Sequence, residues 1–250
     1  MSAAKPKKPG LPEGPIQPFD LACACYLYES MTRYAGSLDR FHAKFGTALD
    51  LSLEDHRLAQ LKFLNDWGCR NLAKEWHSLA SEKLDRWYSG ARDLLRLPDG
   101  SPANLDATRL GDLAGVFDSL STSIAAKRTK NGNEVLVSFG PTATSKSLFA
   151  LMPHTLPAWG EPMRKAFGYD GDGESYVEFV TDIQRKIVET EQYCGSRGFN
   201  LEDLPAKLGR PAYTTVCQLT IEYYWITVTR EVSLPSKDTV REWLSWCDQG

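Results

Sequence analysis

Apolar side chains recur three and four residues apart along most of this chain, the spacing that gathers them on one face of an α-helix. The longest such run, Leu72 to Leu95, sets Leu72, Trp76, Leu79, Ala80, Leu84 and Trp87 on one side. Phe19 to Tyr34 does the same with Leu21, Cys25, Tyr28 and Met31, and Gly36 is its stop. Ser52, with Glu54 and Asp55 just after it, predicts an N-cap for a helix that reaches Trp67 and ends at Gly68. Leu97-Pro98-Asp99-Gly100 is a turn. Asp106 then opens a helix through about Ala126, with Leu110, Leu113, Phe117, Leu120 and Ile124 on its face.

Lys127 to Asn133 reads as a polar, glycine-containing loop, and Val135 to Phe139 as a short apolar run. Further helices are predicted over Glu161 to Phe167, over Ser175 to Tyr193, just after Asn200, and over Ser236 to Trp246. Tyr213 to Thr229 is rich in strand-favouring Thr, Val, Ile and Tyr, but it has no internal turn residue and is long enough for a buried helix. No repeat and no alternation of strands with helices is visible. The expected fold is therefore all-α, a multi-helix globular domain over 18–250 with 18–130 and 131–250 as candidate sub-domains. Residues 1–17, rich in lysine and proline, are expected to be a disordered tail.

Composition narrows the function classes. A formal net charge of −3 over 250 residues gives no global attraction to nucleic acid or to anionic membrane, so any such contact needs a local patch. No run approaches the ~20 apolar residues of a membrane span. No apolar segment follows the N-terminal lysines, so no export signal is read and a cytoplasmic location is expected. The six scattered cysteines contain no C-x-x-C pair and suit reduced thiols.

The chemistry concentrates in Gly140-Pro141-Thr142-Ala143-Thr144-Ser145-Lys146-Ser147. This is one residue from the phosphate-loop pattern G-x-x-x-x-G-K-[ST], with Ser145 in place of the second glycine. A nucleotide hydrolase also needs a parallel sheet and a second acidic metal ligand, and neither is read here. The same residues make a good helix start, with an early proline and small hydroxyl residues around unpaired N–H groups. Gly140, Thr142, Thr144, Ser145 and Lys146 are thus candidate phosphate ligands. Trp159, Arg164 and Lys165 are a candidate nucleic-acid contact surface, aromatic and basic together. The histidines His42, His56, His77 and His154 are isolated, and Asp170-Gly171-Asp172-Gly173-Glu174 lacks the later ligands of a calcium loop. No metal or cofactor is implied.

Gly140-Pro141 before a small-residue helix start resembles the second half of a helix-hairpin-helix, as found in base-excision DNA glycosylases. The resemblance implies a helix-hairpin-helix-like element near 131–152 that binds a backbone phosphate. It also implies a catalytic acid a little under twenty positions downstream, where the nearest acid is Glu161. Thr142 stands where bifunctional members carry a nucleophilic lysine. Separately, Ser145-Lys146-Ser147-Leu148, then Pro153, Pro157 and Trp159, with Glu222-Tyr223-Tyr224-Trp225 later, resembles uncharacterised all-helical bacterial proteins with an S-K-x-L…P-x-x-x-P-x-W pattern. Phe149 and Gly160 depart from that pattern, where His and Asp are usual. The functions carried forward are DNA or RNA association through a local patch, as the alternative a non-catalytic protein-interaction or scaffold role, and, behind both, a P-loop-like nucleotide hydrolase.

Overall fold

The computed structural model describes residues 9–46, 49–70, 72–95 and 107–247. The helices are α1 Pro18–Met31, α2 Tyr34–Phe45, α3 Glu54–Asp66, α4 His77–Leu95, α5 Ala107–Ser121, α6 Gly140–Leu151, α7 Glu161–Ala166, α8 Gly173–Gly195, α9 Leu204–Lys207, α10 Val216–Tyr224 and α11 Lys237–Cys247. Among the described residues one small antiparallel sheet interrupts them, made of β1 Ile124–Lys130 and β2 Asn133–Ser138. The domain is all-α apart from this hairpin. No helix among the described residues is long and apolar enough to cross a membrane.

Several expectations are corrected. The run from Phe19 to Tyr34 is not one helix: Thr32 is extended, and its hydroxyl accepts the Tyr34 N–H at 3.0 Å, closing α1 and opening α2. Ser52 is not the cap of α3, because its N–H and hydroxyl both donate to Asp50 Oδ1, at 2.9 and 2.7 Å. The helix through Ala126 stops at Ser121, and the expected loop over 127–133 is a β-hairpin. Asn131 and Gly132 take φ values of 53° and 79°, the mirror-image turn that matches strand twist and that Asn-Gly favours. What precedes α6 is therefore a strand, so 131–152 does not form a helix-hairpin-helix. The expected boundary at 130 and 131 falls in the hairpin turn, with strands paired across it.

The Leu97–Gly100 turn, Asp106 and residues 1–8 of the expected tail lie outside the described residues. Residues 9–17, the rest of that tail, are a packed strap. Leu11 and Ile16 are buried, and the Ile16 N–H donates to Thr190 Oγ1 at 3.1 Å. The fully buried Lys186 donates to the carbonyls of Pro12 (2.7 Å) and Gly14 and pairs with Glu189 at 3.0 Å.

Helix α8 is the axis of the core. Asp172 caps it by accepting the Ser175 N–H at 2.8 Å, and Tyr176, Phe179, Val180 and Ile183 are fully buried along one side. Phe117 of α5 stacks on Tyr176 at 4.5 Å. This close crossing of α5 and α8 requires a glycine. A Cβ on Gly173 would sit 2.7 Å from the Ala114 carbonyl carbon and 2.8 Å from its Cα, inside van der Waals contact.

At the other end, Arg210 is buried between Glu222 and Glu29, and Gln218 donates to Glu222 Oε1 at 2.9 Å. Burial pushes the Glu222 carboxyl up while the Arg210 guanidinium pulls it back. This network pins α1 to α10. Beyond it lies α11, none of whose residues is buried; Trp243, Leu244 and Trp246 are exposed.

Two measurements test this packing. Gly173→Ala lowers stability by about 1–3 kcal/mol or more through overpacking. Gly90→Ala, on an exposed helical site with open space around its Cβ, raises it by about 0.4–1 kcal/mol; urea titration of both variants reads the contrast. The second concerns His42, which is buried against Tyr213 with Nε2 unpartnered. Burial first, then the charge of His154, lowers its pKa from 6.5 to about 4. The unfolded chain then takes up a proton that the folded one refuses. Stability present above pH 6.5 falls as pH drops toward 4, by up to about 3 kcal/mol. The urea midpoint of His42→Phe, which keeps a ring there, loses that part of the acid sensitivity.

Candidate functional site

The residues around 140 form a site because the chain must change direction there. The Phe139 N–H still bonds back to Ser123 O at 3.0 Å. Gly140 then takes φ 70°, a left-handed value that suits glycine, and α6 begins at once with Pro141 in its first turn. Residues 140–147 are helical, so the near-match to a phosphate loop has no loop with which to wrap a nucleotide.

Helix α6 has an inner and an outer side. Thr144 and Ser145 face inward and are fully buried. Ser145 Oγ accepts the Trp159 N–H at 3.2 Å and donates to Thr142 O at 3.1 Å. Trp159 is 1% exposed; its indole N–H donates to Pro141 O at 3.1 Å, and its ring packs on Phe117, Tyr176 and Phe179. These three side chains hold α6 to the core and are not open to a ligand.

The outer side lines a cavity of about 680 Å³. It is lined by Gly140, Thr142 and Lys146 of α6, by Gly160 and Glu161 at the start of α7, and by Tyr34, Cys69, Trp225, Thr229 and Arg230 from elsewhere in the chain. Residues Trp225–Thr229 continue α10 as a π-helical turn, a wide winding that recurs at functional sites. Trp225 packs edge-on against Tyr28 and Tyr34, and the Arg230 guanidinium lies 5.4 Å from its ring centre.

Lys146 is the electrostatic centre of the cleft. Its ammonium donates to the Trp67 carbonyl and lies 4.8 Å from the Trp67 ring centre and 5.8 Å from that of Tyr34. No carboxylate pairs with it among the described residues. Burial lowers its pKa from the ordinary value, and the Cys69 thiol opposes that shift. Burial in turn raises the thiol of Cys69, against the pull of Lys146. A desolvated cation held by one carbonyl and two ring faces is incompletely compensated, so an anion entering the cleft gains more from it than from a solvated lysine.

The other expected residues are distributed as follows. Glu161 is exposed and pairs with Lys165 at 2.6 Å; the hydrogen bond and charge of Lys165 hold its carboxyl below the usual range. Such a carboxylate stays ionised at neutral pH and does not suit a general acid. Arg164 turns away to donate to Tyr169 O at 3.2 Å. The surface expected from Trp159, Arg164 and Lys165 is thus not assembled: the ring is in the core, one cation supports a loop and the other is paired. Tyr34, Cys69, Trp225, Thr229 and Arg230 carry no local motif that marks them, although the Glu222-Tyr223-Tyr224-Trp225 segment ends in the cleft. Among the described residues, no group of His, Cys, Asp and Glu is placed to hold a metal ion.

Comparison of the chain with protein-family models, curated proteins and solved structures gave no match. Function therefore rests on the site itself.

The inward role of Ser145 has a direct test. Ser145→Ala leaves the buried Trp159 N–H without its acceptor and lowers stability by about 1–3 kcal/mol, read as a drop in Tm.

Proposed function

We propose that this protein binds nucleic acid, taking a backbone phosphate into the cleft at the head of α6. Lys146 and Arg230, both in the cleft lining, meet the phosphate, Thr142 flanks it at the first turn, and Tyr34 and Trp225 offer rings to a neighbouring base. The observation that carries the reading is Lys146, a desolvated ammonium on the cleft wall with no carboxylate partner among the described residues. The one acid on the rim, Glu161, is already matched by Lys165, so the cleft keeps a local positive excess within a chain of net charge −3. The reading is of binding without a chemical step, because Glu161 is not in a form to donate a proton.

A second reading, a protein-interaction role, is favoured by α11, whose Trp243, Leu244 and Trp246 are 46%, 61% and 58% exposed.

Fluorescence anisotropy with single-stranded DNA and RNA at low salt tests the first reading. Lys146→Met keeps the length of the side chain and removes its charge. Affinity falls by about tenfold or more, as expected for a charged hydrogen bond of about 1.5–3 kcal/mol. The plot of log K against log salt becomes shallower by about 0.7, one single-strand phosphate contact. Glu161→Gln leaves affinity unchanged or raises it. No binding by the wild type, or equal binding by Lys146→Met, removes the proposal.

A further inference from the structure

Beside the first cleft lies a second, of about 700 Å³, formed where the β-hairpin faces the short 3₁₀ turn Lys74–Trp76. Their linings adjoin in the chain: Cys69 lines the first and Arg70 the second, and Phe139 lines the first and Val137, two residues earlier, the second. Successive Cα atoms are about 3.8 Å apart, so at these points the two linings share a stretch of backbone.

The second cleft carries its own charge. Arg70, Lys127 and Arg128 line it, against Glu75 and Glu134. Lys127 pairs with Glu134 at 2.9 Å and lies 5.6 Å from the ring centre of Trp76, so that charge is largely spent within the fold. Arg70 and Arg128 are exposed and form no salt bridge with any described carboxylate. The second cleft thus has two guanidiniums without a carboxylate partner among the described residues, Arg128 on the hairpin and Arg70 on the segment after α3.

We propose that the two clefts form one groove, and that a single strand of nucleic acid runs through it from Lys146 past the hairpin to Arg70 and Arg128. The inference rests on the binding reading above and adds a second phosphate subsite to it. The hairpin acquires a role: its first strand brings Lys127 and Arg128, and its second Glu134 and Val137, into the lining that also holds Arg70. A strand of alternating phosphates and flexible sugars suits a groove with cations at both ends and rings between them.

The experiment compares a thymidine dinucleotide with a decanucleotide on the full chain. Wild type binds the decanucleotide about tenfold or more tightly than the dinucleotide, since additional phosphates are engaged. The double variant Arg70→Ala, Arg128→Ala loses this gain, and its decanucleotide salt slope is shallower by about 1.4, two single-strand contacts. Its dinucleotide affinity and its Tm are unchanged, because both side chains are exposed. Lys146→Met weakens both oligonucleotides. If the double variant binds the decanucleotide as wild type does while Lys146→Met does not, the groove is overturned and the single cleft stands. If wild type binds neither oligonucleotide, the cleft reading fails and the groove with it. If a decaglutamate peptide binds and the decanucleotide does not, the occupant is an acidic protein segment and the proposal is overturned.

Discussion

The fold and the cleft both depend on how Trp159 is held. Its ring fills the space between α5 and α8, against Phe117, Tyr176 and Phe179. Its two N–H groups reach the other way, to the Pro141 carbonyl and the Ser145 hydroxyl. A buried indole without a partner for its N–H is costly, so the ring and these bonds fix one another. The result is that the first two turns of α6 are bolted to the axis of the core. That bolt sets the outer side of α6, and with it Lys146, in the cleft whose lining the π turn also joins.

The opposite side is held by charge rather than by packing alone. Arg210 sits between Glu29 and Glu222, which joins α1 to α10 three residues before Trp225. Removing one partner from such a network leaves an uncompensated buried charge, which makes its geometry hard to loosen. Trp225 then packs edge-on against Tyr28 and Tyr34. Tyr34 also lies under the Lys146 ammonium, 5.8 Å from its ring centre, with the Trp67 ring 4.8 Å away. Burial in this setting disfavours the charged form of the lysine.

Much of this was legible in the chain, and the gaps have physical causes. Helices α4 and α8 follow from the three-and-four spacing because each buries one wide stripe, whereas α10, buried nearly all round, was legible only from its length and lack of a turn residue. The hairpin was hidden because Ile124 continues the stripe of α5, and because Asn131-Gly132 had to be read as a two-residue turn rather than a loop. The break between α1 and α2 lies in one hydroxyl, Thr32, whose capping role depends on the backbone around it. At the site, Gly140, Thr142 and Lys146 belong to a helix start and could be picked out locally. Thr144 and Ser145 share that stretch but point inward, since a helix rotates neighbours by about 100° and only packing decides which face is core. Trp159 is the same lesson: a tryptophan near two cations looks like a binding surface until Phe117 and Tyr176, dozens of residues away or further along the chain, claim it. Tyr34, Cys69, Trp225 and Arg230 have no local mark, because only tertiary folding makes them neighbours.

A chain with a net charge of −3 is an unpromising polyanion binder by its total, yet totals average over pairs that cancel. Glu161 and Lys165, Lys62 and Asp66, and Arg185 and Asp182 neutralise one another on the surface. Such pairs contribute little to stability, but they remove their charges from the field felt a Debye length away, about 8–10 Å at physiological salt. What remains local to the clefts is set by the lining cations that form no ion pair among the described residues: Lys146, Arg230, Arg70 and Arg128. The relevant electrostatic quantity is therefore not how many basic residues the chain has but where its unpaired ones stand, and four of them stand along adjoining walls.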